Sequence, residues 1–71
     1  MKRFIYFLDN EGGMDTIYVN EGEDVLSWIA FGSMDNPEDV GLLDWMKTAP
    51  VGGWCEHRVG CMVRVLDGKP W

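Results

Sequence analysis

No lysine or arginine stands between Arg3 and Lys47. A stretch so poor in cations is not built to follow a nucleic-acid backbone or an anionic membrane, since basic side chains hold both. Histidine occurs once and cysteine twice. That is too little for a disulfide framework, and no Ser-His-Asp pattern follows from these residues. No apolar run approaches the ~20 residues that span a bilayer. The apolar segment Phe4 to Leu8 has no small-residue cleavage site after it, so it reads as a strand and not as a secretory leader. Gly12-Gly13 and Gly52-Gly53 belong to no phosphate-binding pattern. Neither an internal repeat nor a low-complexity tract occurs. These absences point to a cytoplasmic protein that needs no cofactor and is not an enzyme.

Apolar and acidic residues dominate instead. A chain of 71 residues is expected to form one domain, 1–71. At that size about 60% of the extended surface is buried, which makes a marginal core. Four Trp, three Phe and two Tyr offset this, because each large aromatic buries roughly 150–250 Å². Four Trp exceed what so small a domain hides easily, so at least one is expected at the surface. Twelve acids against six bases give a net charge of −6. Ten of the acids lie in the segment without bases, from Asp9 to Asp44, whereas Lys47 onward carries four bases and two acids.

Periodicity supplies the expected elements. Lys2 to Leu8 alternates, with Phe4, Tyr6 and Leu8 on one face. Met14 to Val19 does the same, and the Asn- and Gly-rich link between them predicts a β-hairpin. Asn20 and Glu23 resemble a capping box, and Val25, Leu26, Ile29 and Ala30 form a helical stripe that ends at Gly32. Asn36-Pro37-Glu38-Asp39 announces a second helix that ends at Thr48-Ala49-Pro50. Val59 to Leu66 reads as a strand with Val59, Cys61, Val63 and Val65 buried and Arg64 outward. Trp54 to His57 is compatible with a short extended arm beside it. The expected fold is α+β: a three-stranded, mainly antiparallel sheet in ββααβ order with two short helices on one face. The last strand should lie beside the first.

Two kinds of chemistry suggest themselves. Cys55, His57 and Cys61 make C-x-H-x₃-C, three soft ligands that a carboxylate or water completes for zinc. The spacing departs from paired-ligand zinc modules, so this is the weaker candidate, and no metal is expected. The acidic segment is the stronger one. Glu21, Glu23, Asp24, Asp35, Glu38 and Asp39 are candidate recognition residues, with Trp28 or Trp45 as an apolar anchor. Carboxylates in such number suit a basic groove that otherwise holds nucleic acid.

A short, acidic chain rich in Trp and Met and without catalytic motifs resembles the small accessory proteins of bacteriophages. Anti-CRISPR proteins, antirestriction DNA mimics and inhibitors of host RNA polymerase are of this type. The resemblance is one of class and transfers no residue role. It implies an inhibitor that binds a host protein with a basic nucleic-acid-binding surface, acts in the host cytoplasm and binds no nucleic acid or membrane itself. The alternatives are a small Cys/His metal-binding module, and a structural or assembly protein that self-associates through a sheet edge or through its Trp-containing tail. Monomer and homodimer are both compatible with the sequence.

Overall fold

The computed structural model describes every residue except Ala30, Phe31 and Val59, and the side chain of Asn10. Arg3–Asn10 (β1) and Gly13–Asn20 (β2) form the expected antiparallel hairpin, in register from Arg3↔Asn20 to Asn10↔Gly13. The tight turn needs glycine at its end, where Gly13 takes φ 125°, a conformation other residues rarely adopt. Alternation then sends Phe4, Tyr6 and Val19 into the core.

The remaining sheet differs from the three-stranded expectation. Trp54–His57 is a strand in its own right (β3), paired antiparallel with Gly60–Val65 (β4). β4 lies beside β1, as expected, which gives a four-stranded antiparallel sheet of order β2-β1-β4-β3. Gly60 is required where β4 meets β1, because a Cβ there would lie 1.8 Å from the Phe7 carbonyl oxygen.

Only one α-helix forms among the described residues, not two. Pro37–Thr48 (α1) starts as its sequence indicates. The Asn36 side chain accepts from the Glu38 N–H at 3.0 Å, Pro37 occupies the first turn, and Glu38 and Asp39 sit where the helix dipole favours acids. The segment expected to be the first helix instead contains a single 3-10 turn, Val25–Ser27. Its capping signals are used otherwise: Asn20 ends β2 and donates through Nδ2 to Glu23 Oε1 at 2.7 Å. Gly22 takes φ 89°, and the Ser27 hydroxyl bonds back to the Asp24 carbonyl at 2.8 Å. Few residues then remain before Gly32, whose Cβ would lie 2.3 Å from the Leu26 carbonyl oxygen. So short a run, with β-branched Val25 and Ile29, does not recover the cost of helix nucleation. Ala30, part of the expected stripe, lies outside the described residues.

The core lies between one sheet face and α1 with the 3-10 turn. It contains Phe4, Tyr6, Val19, Val25, Ile29, Leu42, Met46, Ala49 and Met62. Two faces are inverted relative to expectation. In β4 the inward residues are Met62 and Arg64, whereas Cys61, Val63 and Val65 point to the opposite face, half-buried; Val59 is not described. Pairing decides this: Phe4↔Arg64 and Tyr6↔Met62 put those residues on the inward face of β1. Arg64 tolerates burial because its guanidinium bonds to Asp67 and the Val65 carbonyl and lies 5.7 Å from the Phe4 ring. In α1 Asp39, expected at the surface as a recognition residue, faces inward with Leu42 and Met46.

Candidate protein-binding groove

Two segments make the walls of a groove. On one side the chain leaves β2 through Glu21-Gly22-Glu23, a turn pinned by the Asn20–Glu23 bond and by the Glu21 N–H on the Lys2 carbonyl at 3.0 Å. On the other side α1 presents Val40, Leu43 and Asp44. Lys2 closes one end, its Nζ donating to the Lys47 carbonyl at 2.7 Å. The cavity between them is open and measures about 480 Å³. Phe4, Met34, Val40, Leu43 and Met46 supply its apolar lining, and Glu21, Glu23 and Asp44 supply carboxylates. Both lysines at the groove have partners, since Lys47 Nζ lies 3.7 Å from Asp44. Three carboxylates against two lysines leave the rim one negative charge in excess.

A buried polar network ties the first turn of α1 to β1 and β3. Tyr6 Oη lies 2.8 Å from His57 Nδ1, and His57 Nε2 lies 2.7 Å from Asp39 Oδ1. A neutral His57 protonated at Nε2 satisfies both contacts: Tyr6 donates to Nδ1 and Nε2–H donates to Asp39. Asp39 also accepts from the Arg58 guanidinium through both oxygens and from the Ser33 N–H at 2.9 Å. The Arg58 hydrogen bonds hold the Asp39 carboxyl well below the usual carboxylate range, against the opposing effect of burial, and Ser33 and His57 add to the lowering. Asp39 in turn raises the Arg58 pKa. Burial pushes Tyr6 up to about 12, so it stays a proton donor. Glu38 completes the link from α1 to β3 by accepting from the Arg58 N–H.

The expected recognition residues are therefore divided. Glu21, Asp24 and Asp35 are exposed, and Glu23 is half-buried at the groove. Glu38 is exposed but engaged with Arg58. Asp39 is withdrawn from the surface altogether: it is fully buried and anchors the helix. Trp28 ends the 3-10 turn, partly exposed over Ile17 and Val19. Trp45 packs inward, its ring centroid 5.9 Å from that of Phe4. The weaker candidate set does not converge. Cys55 and His57 share the inner face of β3, whereas Cys61 pairs with Phe7 and Glu56 on the outer face. Both thiols are free, and burial raises the Cys55 pKa. Among the described residues no three His, Cys, Asp or Glu side chains are grouped to hold a metal ion.

The sequence reading missed Asp44, Val40 and Leu43 as groove residues. A signal was available. α1 carries Val40, Leu42, Leu43, Trp45 and Met46, more apolar positions than one core stripe uses. The surplus lines the groove. No protein-family model matches the chain, and no match is found among curated proteins or solved structures.

Among the described residues no helix is long and apolar enough to cross a membrane.

Proposed function

We propose that the protein is a small acidic inhibitor that binds a host protein whose natural ligand is nucleic acid, as anti-CRISPR and antirestriction proteins do. One observation carries the reading: the apolar groove of about 480 Å³ is edged by three carboxylates, Glu21, Glu23 and Asp44, which outnumber Lys2 and Lys47 at its rim. A segment that presents apolar side chains into a groove and Lys or Arg at its margin is complementary to it. Such segments are common on nucleic-acid-binding proteins, where the basic side chains hold phosphates. Asp24 and Asp35, exposed close by in sequence, extend the attraction. Occupying the segment would compete with nucleic acid for the same cations. This assigns the work to a groove with an acidic edge, and not to a backbone mimic that spreads its charge over the surface; Asp39 is excluded from the recognition set because it is buried.

Titration against a purified CRISPR surveillance complex, a restriction enzyme and a bacterial RNA polymerase tests this, with nucleic-acid binding read by fluorescence anisotropy. Inhibition of one of them is expected. It should weaken by at least about tenfold between ~0.1 M and ~1 M salt, as the Debye length falls from ~10 Å to ~3 Å. The double variant Glu21→Lys, Asp44→Lys should weaken it by a similar factor at low salt. Inhibition that ignores both salt and charge reversal would exclude the groove, and inhibition of none would exclude these three classes of target.

A further inference from the structure

The sheet has a second face, and it carries a separate inference. α1 and the 3-10 turn cover the inner face. On the outer face the registers align Tyr18, Ile5, Val63 and Trp54 in one row across all four strands. The next row reads Thr16, Phe7, Cys61 and Glu56. Trp54 is 67% and Tyr18 55% exposed. The C-terminal tail covers one end of this face, running from β4 past Arg3, which donates to the Leu66 and Lys69 carbonyls, to β2. Trp71 lies on Tyr18 with ring centroids 5.0 Å apart, the Arg3 guanidinium is 4.3 Å from its ring, and its backbone N–H bonds to Asn20 Oδ1 at 2.8 Å. A soluble monomer rarely leaves a continuous apolar face of this kind uncovered.

We infer that this face binds a second copy of the chain, forming a two-fold, face-to-face sandwich independent of the groove. Three features select that occupant. The first is area: four strands ~4.8 Å apart and up to eight residues long at ~3.3 Å each cover a plane of about 400–500 Å². Two such planes, with side-chain relief and Trp71 at the margin, reach the ~1,000 Å² that a specific interface requires. The second is shape. A two-fold axis along the strands, between β1 and β4, sets β2 of one copy over β3 of the other. Trp54 then meets Tyr18 together with the Trp71 ring that lies on it, Ile5 meets Val63, and bulky Phe7 meets small Cys61. Sheets stacked in this way pack ~10 Å apart with their strands within about 30°. The third is charge. Every copy carries a net −6, so its own surface repels a second copy in most orientations. On this face the same axis puts Glu56 over Thr16, and Arg3 is already held by the Leu66 and Lys69 carbonyls of its own tail, so neither of these charges is set over its like.

Sedimentation equilibrium of the intact protein from about 1 µM to about 1 mM tests the inference, a range suited to interfaces of modest area. The expected result is a mass that approaches twice that of the chain, with a blue shift of tryptophan emission as Trp54 is covered. Val63→Lys should reduce the association by at least about 100-fold, and Ile5→Lys should do the same should Val63→Lys fail to fold by circular dichroism. Glu21→Lys with Asp44→Lys should leave the dimer in place, which separates this interface from the groove. A monomer at every concentration would overturn the inference. So would a dimer that survives both lysine variants, because a sheet edge or the tail would then be its seat.

Discussion

Asp39 illustrates how one side chain can change role between sequence and structure. In the chain it is one of ten acids in a base-free segment. In the fold it is the buried anchor that joins α1 to β3 through His57 and Arg58. Its pKa is depressed on folding, so the unfolded chain binds the proton more readily. Asp39 therefore adds stability above the ordinary carboxylate pKa of 3.8, and that stability is lost as pH falls below it through the depressed value. Urea unfolding monitored at pH 7 and at pH 3 should show a lower midpoint in acid. Asp39→Asn should be less stable at pH 7 and should lose part of that acid dependence. An unchanged slope would assign it to other carboxylates.

The elements respond to glycine in opposite ways. Gly41 lies inside α1, exposed, with no atom within 4 Å of an added Cβ. Gly41→Ala should stabilise the protein by about 0.5–1 kcal/mol, because alanine loses less backbone freedom in a helix. Gly60→Ala should destabilise it markedly, because the Phe7 backbone occupies the Cβ position and β4 must separate from β1. Thermal unfolding of the two variants checks both signs. A neutral Gly60→Ala would mean that β1 and β4 do not approach this closely. The same close pairing made the inner face of β4 unreadable in advance. Cys61, Val63 and Val65 are as apolar as a core row, and Arg64 advertises solvent. Registry with Phe4 and Tyr6 overrode that preference, because a strand's facing is set by its neighbour as well as by its own alternation.

Across the whole molecule, charge works against stability. A net charge of −6 on so small a domain favours expansion through self-repulsion. Thermal stability should rise from ~10 mM to ~0.5 M NaCl as exposed charges are screened. Glu21→Lys with Asp44→Lys should stay close to wild-type stability, because the lower net charge offsets the loss of the exposed Asp44–Lys47 pair, worth roughly 0.2–1 kcal/mol. Stability that holds while partner binding falls would mean that these acids serve recognition. A fall in both would identify them as structural.

Local chemistry alone specified a good part of this protein. The hairpin followed from two alternating segments around a glycine turn, and α1 from Asn36, Pro37 and the acids behind them, because both signals act over a few neighbouring residues. The base-free acidic segment, with Glu21 and Glu23 in it, was equally plain. Tertiary structure decided the rest. It turned Asn20 from a helix cap into the end of β2, made β3 a full strand beside β4, sent Arg64 inward, and moved Cys61 to the face opposite Cys55 and His57. It also withdrew Asp39 from the acidic surface while joining Glu21, Glu23 and Asp44 around one groove. Each of these outcomes depends on partners distant in sequence, such as Arg58 for Asp39 and Phe4 for Arg64. A chain's own periodicity reports which residues share a face, and the packing of other segments determines whether that face meets the core or the solvent.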